Sequence, residues 1–216
     1  MDADVALTVR VARIMAPITV LGPGSRVGLW VQGCALACPG CASRDTWDPG
    51  GGHAVDVSRL RTELSATLDA GDLTGLTITG GEPTDQAGPL AALVRGLRDE
   101  KPDLDVLVFT GRTLGAAKAV APELMALATA IVAGPYRRDL PLPGHRLLST
   151  ANQTLHVMDR AEDSYRRWLA DERGPRVQTM VTEEALYLIG MPQPGDLDKF
   201  RAALADRGVT LEGVSW

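Results

Sequence analysis

Apolar residues along this chain change their period several times, and each change marks an element. Residues 5 to 20 alternate, with Val5, Leu7, Val9 and Val11 separated by Thr8 and Arg10. This period of two predicts a half-buried strand, and Leu21-Gly22-Pro23-Gly24 ends it. Val27 to Gln32 is a continuous run instead, which predicts a buried strand that delivers Gly33 and the cysteines behind it. Thr46-Trp47-Asp48-Pro49-Gly50-Gly51-Gly52 reads as a loop. From Ser58, placed as an N-cap, Leu60, Leu64 and Leu68 fall on one helical face. Leu76 to Thr79 is a short strand broken by Gly80-Gly81-Glu82-Pro83, and Leu90, Leu93, Val94 and Leu97 make the next helical stripe. Leu104 to Thr110 is a Val-rich strand ending at Gly111. A helical stretch from Thr113 through Met125, interrupted near Pro122, leads to Ala130 to Ala133 and a break at Gly134-Pro135.

Strands alternating with helices, several with continuous apolar runs, predict an α/β fold with a parallel sheet in βαβ units. The loops at the strand C-termini then share one mouth. Beyond Gly134 the pattern weakens. Residues 135 to 153 read as a long loop, where Arg137, Arg138, His145 and Arg146 are placed to grip an anionic or polar ligand. Leu155 to Met158, Val177 to Thr182 and Leu186 to Ile189 are strand candidates. Ala161 to Arg173 is a helix candidate with Tyr165, Trp168 and Leu169, and a last helix after Gly195 carries Leu197, Phe200 and Leu204 on one face. Trp168 and Trp216 are candidates to cap a site.

Composition narrows the classes. The 216 residues, 45% of them apolar, suit one domain with a modest extension. A net charge of -5 argues against broad phosphate-backbone binding. Met1-Asp2-Ala3-Asp4 is acidic where a secretory leader is basic, and the apolar run from Leu124 to Gly134 is too short to span a bilayer, so a cytoplasmic protein is expected.

All three cysteines, Cys34, Cys38 and Cys41, sit in one Gly/Pro-broken loop. A zinc site would need His53 to reach back as fourth ligand, and a disulfide framework leaves one thiol over. A [4Fe-4S] cube is usually closed by four cysteines, so three leave one iron open to chelate a small molecule. That turns an electron carrier into a reaction centre. A metal-binding interaction module without turnover is the rival from another class.

Cys34-x3-Cys38-x2-Cys41 followed by Gly80-Gly81-Glu82-Pro83 resembles the radical S-adenosylmethionine superfamily. Within it, Leu29-Trp30-Val31-Gln32-Gly33-Cys34, Pro39-Gly40-Cys41, Thr46-Trp47-Asp48 and Thr77 to Pro83 are most similar to the activating proteins of anaerobic ribonucleotide reductase. The resemblance runs from about Gly22 to Gly111 and returns loosely at Ala133-Gly134-Pro135 and Ser149 to Gln153. It implies a partial (β/α) barrel with a C-terminal extension, residues 1–134 forming the core and 135–216 the remainder of the barrel plus a substrate- or partner-facing extension. It implies one [4Fe-4S] cluster on Cys34, Cys38 and Cys41, which act both as metal ligands and in catalysis. S-adenosylmethionine would be held by Gly80, Gly81, Glu82, Pro83, Thr110, Gly111, Gly40 and Ser149. The implied reaction is reductive cleavage of that cofactor to a 5'-deoxyadenosyl radical, with flavodoxin or ferredoxin as electron donor. The implied target is a glycine of a larger glycyl radical enzyme, or alternatively a small molecule or peptide. The chain departs from the reductase activators at Ala42-Ser43-Arg44, where they carry Phe-Asn-Pro, and at Ala133, where they carry Asp.

Overall fold

A computed structural model describes residues 7–183 and 185–213. Val5 of the alternating stretch and Trp216 lie outside the described residues. The chain runs β1 (Thr8–Ile18), β2 (Arg26–Val31), β3 (His53–Asp56), α1 (Val57–Ala70), β4 (Gly75–Gly80), α2 (Ala87–Glu100), β5 (Asp105–Thr110), α3 (Leu114–Val120), α4 (Pro122–Leu127), β6 (Ala130–Ala133), β7 (Thr154–Val157), α5 (Glu162–Ala170), β8 (Val177–Val181), β9 (Leu186–Gly190) and α6 (Asp196–Ala205). It is a mixed α/β fold with a parallel central sheet and a small C-terminal hairpin.

Seven strands form one sheet in the order β3-β1-β2-β4-β5-β6-β7, and β8 pairs with β9 separately. The four central strands are parallel, with Val27 beside Leu76, Leu76 beside Val106, and Val108 beside Ile131. Helical crossovers make that pairing possible. The flanks differ from the expected parallel sheet: β1, β3 and β7 all pair antiparallel. His53-Ala54-Val55-Asp56 is too short to show a period, and its partner strand supplies the order, with Val11 opposite His53 and Thr8 opposite Asp56. Asp56, not Ser58, caps α1; its Oδ1 accepts from the amides of Ser58 and Arg59 at 2.8 and 3.1 Å.

Alternation within the strands builds two layers. Val27, Leu29, Val31, Leu76, Ile78, Val106 and Val108 pack on the leucines of α1 and α2 and on Leu124 of α4. On the other face Leu107, Ala130 and Val132 meet Leu147, Leu148 and Tyr165. Trp30 on that face meets Met15, Ile18 and Ile189. The segment after Gly134 therefore covers the sheet face that the helices leave bare. Its two parts meet where the Gly144 amide donates to Gln193 Oε1 at 2.6 Å and Ser149 Oγ to Met191 Sδ at 2.9 Å. Helix α6 keeps its apolar stripe only half covered. Among the described residues no helix is long and apolar enough to cross a membrane.

Candidate metal centre

Strands β2 and β4 end side by side, and their backbones go on bonding past the last paired residues. The Gly81 amide donates to Val31 O and the Glu82 amide to Gly33 O, each at 2.8 Å. The glycine turn is thus stitched to the residue that precedes Cys34. From the other side Thr46 O accepts from the Gly33 amide at 2.8 Å and Trp47 O from the Cys34 amide at 3.1 Å. Gln32 Nε2 holds that support in place through Asp48 O at 2.8 Å, and buried Thr46 closes it by donating to Ser43 O at 2.7 Å. Thr46-Trp47-Asp48 is therefore a backbone brace for the cysteine loop.

Glycines are needed here for a reason the sequence did not show. A Cβ at Gly81 would stand inside the contact radius of the Gly33 carbonyl oxygen, and one at Gly80, where φ is +102°, would lie 2.6 Å from Val31 O. The turn is bare so that it can lie on the cysteine loop. A Cβ at Gly111 would collide with Leu36, so the end of β5 closes on the same loop.

The three thiols are free and half-buried. The amides of Leu36 and Ala37 donate to the sulfur of Cys34, and the Ser43 amide donates to Cys41 Sγ at 3.4 Å. The Cys41 amide closes a turn onto Cys38 O at 3.1 Å, and Ala37 takes a positive φ of 45°. Burial pushes the Cys34 thiol up, the two amides oppose that, and the neighbouring Glu82 and Cys41 add to the rise. A thiolate there calls for a cation to compensate it. Among the described residues no group of three or more His, Cys, Asp or Glu is set for a single metal ion. A cluster spreads its thiolates over separate irons instead, and amide donors to cysteine sulfur are what tunes such a centre. The donor set, all sulfur and served by amides, fits an iron-sulfur cluster. His53, exposed on edge strand β3, is part of the sheet.

Glu82 is 1% exposed, and its carboxylate is fully engaged. Oε1 accepts from the Thr84 amide, Thr84 Oγ1 and Thr110 Oγ1 at 3.0, 2.7 and 2.8 Å, and Oε2 from the Gly111 amide at 2.8 Å. It ties the end of β4 to the end of β5. Pro83 is buried and opens the 3-10 turn that carries Thr84.

Cys34, Cys38, Cys41, Gly80 to Pro83, Thr110 and Gly111 thus share the strand ends. Gly40 joins them beneath the long loop, since a Cβ there would lie 3.3 Å from Arg138 Cδ and 3.4 Å from Tyr136 Cε1. Ser149 is engaged with Met191. Two of the expected ligand-gripping residues are structural instead. Arg146 is buried, stacks 3.7 Å from the Trp168 ring centroid and donates to the carbonyls of Trp168 and Pro175. His145 Nδ1 accepts from the amides of Leu147 and Leu148 at 3.1 and 2.9 Å, and burial holds its pKa down. Arg137 pairs with Asp139. A loop rich in Arg and Pro carries no period, so its inward turns left no trace in the sequence. Arg112, Thr84 and Asp85 belong to the site and were not legible: Arg112 reaches Asp85 and Thr84 across 27 and 28 positions, a separation that short-range spacing does not encode.

The family model of the 4Fe-4S single cluster domain matches residues 20–156. The anaerobic ribonucleoside-triphosphate reductase-activating protein of Vibrio cholerae is 32% identical over 145 residues, covering 65% of this chain and 93% of that protein. The protein of the same name from Enterobacteria phage T4 is 32% identical over 56% of this chain and 78% of its own length. That of Escherichia coli K12 is 29% identical over 65% and 94%. Among solved structures, QueE from Escherichia coli aligns with a TM-score of 0.40 and 18% identity over 49% of this chain and 54% of that one, a likeness too slight to support inference. With its cysteine triad, glycine turn and shared strand ends, the chain belongs to the 4Fe-4S single cluster domain family, of the radical S-adenosylmethionine type.

Proposed function

We propose that this chain is an activating enzyme that generates a glycyl radical on a larger partner of the anaerobic ribonucleoside-triphosphate reductase type. One observation carries the reading. The cysteine loop and the glycine turn close on each other at the strand ends, while Ala35, Ala37, Pro39 and Gly40 leave the outer side of the loop exposed to a large partner. The relatives that bear this name align over nearly their whole length, which supports the same choice.

Cys34, Cys38 and Cys41 would hold three irons of the cluster, leaving the fourth for the amino and carboxylate groups of S-adenosylmethionine. When bound and reduced, such a cluster would supply the single electron that splits this cofactor into methionine and a 5'-deoxyadenosyl radical, the species that would take a hydrogen atom from the target glycine. The chain's own part is positional. Gly80 and Gly81 offer backbone without side chains, and Pro83, Thr110, Gly111, Gly40 and Ser149 shape the remaining walls, with Glu82 buried behind them. An exposed cysteine loop also admits a one-electron donor such as flavodoxin or ferredoxin.

A second reading, with a small molecule or peptide as substrate, draws on Tyr136 and Arg138 lying over Gly40 and narrowing one side of the mouth. Anaerobic incubation of the reconstituted protein with dithionite, S-adenosylmethionine and the candidate reductase separates the two. The expected result is 5'-deoxyadenosine together with a glycyl radical signal in electron paramagnetic resonance. Deoxyadenosine without that signal favours the second reading, and no deoxyadenosine sinks both.

A further inference from the structure

Arg112 belongs to none of the recognised motifs, yet its side chain ends a chain of contacts that reaches the glycine turn. Its Nε donates to Thr84 Oγ1 at 2.8 Å and its Nη2 to Asp85 Oδ1 at 2.7 Å. The Thr84 hydroxyl accepts from the arginine and gives its single proton to Glu82 Oε1, so its direction is fixed. Glu82 in turn receives four donors from Thr84, Thr110 and Gly111. Three of these converge on Oε1 and one reaches Oε2, and with the side chain only 1% exposed the carboxylate presents no surface to a ligand. The Arg112 guanidinium is held above its ordinary pKa chiefly by the bond to Asp85, with the Glu82 carboxylate and the Cys34 thiolate adding. The two strand ends that flank the cysteine loop are therefore locked together by side chains rather than by ladder bonds.

Resting on the proposed function above, we infer that Arg112 is a positioning residue for S-adenosylmethionine: through Thr84 and Glu82 it fixes the Gly80-Gly81 turn against Gly111, and the Glu82 carboxylate serves this clamp rather than touching the cofactor. Guanidinium geometry matters, because Thr84 and Asp85 are served by the adjacent Nε and Nη2 donors of one planar fork, which a lysine ammonium does not reproduce. Small displacements of binding groups are costly in such sites.

The test uses the full chain with its cluster reconstituted. Arg112→Lys and Thr84→Val are compared with wild type and with Arg59→Lys, an exposed ion-pair control on α1. Iron and sulfide content, thermal stability of the apoprotein and anaerobic equilibrium binding of S-adenosylmethionine are read separately. Both clamp variants are expected to keep iron and sulfide at the wild-type level while the dissociation constant rises roughly tenfold, the scale of one lost charge-assisted hydrogen bond; Arg112→Lys should also keep the apoprotein's stability, whereas Thr84→Val, which takes a donor from buried Glu82, should lower it. The double variant should bind no more weakly than the worse single one, since both break one chain of contacts. Unchanged affinity in Arg112→Lys, additive losses in the double variant, affinity falling in step with iron, or affinity falling in step with stability in Arg112→Lys would each overturn the clamp. Wild-type protein that fails to bind the cofactor overturns both readings. Binding without a glycyl radical on the reductase overturns the activating role and leaves the clamp standing.

Discussion

Each end of the central strands buries one charged side chain, and the two ends treat it differently. At the N-terminal end Arg26 is fully buried at the start of β2. It donates to Thr77 Oγ1 at 2.7 Å and to the carbonyls of Pro23 and Leu76 at 3.0 Å, and pairs with Asp105 at 3.2 Å. Tyr165, brought in from α5, donates to the same Asp105 at 3.1 Å. Gly75 leaves room for the guanidinium. This end is a plug. At the C-terminal end Glu82 is equally buried and equally satisfied, but its partners lie on loops, and the thiols beside it stay half-exposed. One device, a buried charge held by several hydrogen bonds, seals one end and shapes an accessible centre at the other. In α/β barrels such a division between a stabilising face and a reactive face is the general rule.

Four experiments would break or sharpen this contrast. The largest effect is expected at the reactive end: Cys34→Ala, Cys38→Ala and Cys41→Ala should each abolish the [4Fe-4S] cluster, because the chain has no other thiol. Iron and sulfide analysis is the check, and the apoprotein should melt near the wild-type temperature. Zinc in the native protein, or a surviving cluster in any variant, would defeat the assignment.

Arg26→Met should do the reverse. Removing one partner of a buried pair costs about 3–5 kcal/mol, so denaturant unfolding should shift strongly while the folded fraction still takes up a cluster. A cluster lost at full stability would mean that the two ends are not separable.

Gly81→Ala comes next. Its methyl group would strike the Gly33 carbonyl, so cluster content and stability should fall together, the latter by roughly 1–3 kcal/mol as for an overpacked site. A variant with a full cluster that fails only in cofactor cleavage would show that the glycine serves ligand approach instead.

The smallest effect concerns Tyr165. Burial raises its phenol pKa above the usual value of 10.0. A raised folded-state pKa keeps its stability below the unfolded value and loses it as pH rises above about 10. Stability measured from pH 8 upward should therefore decline, and Tyr165→Phe should flatten that decline while costing about 1 kcal/mol at neutral pH. An unchanged alkaline slope would remove Tyr165 from the plug.

How the pieces were legible follows from the range of the interactions. The central strands and the helices between them were readable because continuous runs such as Val27 to Val31 and stripes such as Leu90, Leu93, Val94 and Leu97 are signals carried within about ten residues. The cysteine triad and Gly80 to Pro83 were readable because chemistry and backbone freedom are written in residue type. The glycines themselves were legible, but their cause was not: the clash that excludes a side chain at Gly81 is with Gly33, forty-eight positions earlier and just past the end of β2.

Sequence alone thus determined the α/β class, the cluster loop and the turn that meets it, since each rests on local periodicity or on the chemistry of a few neighbouring side chains. Only the tertiary structure decided the antiparallel flanks, the inward turn of Arg146 onto Trp168, and the line from Arg112 through Thr84 to Glu82. Those depend on which distant residues the sheet order sets side by side. A hydrogen bond has no preferred sequence separation, only a preferred distance and direction, so no spacing along the chain announces it.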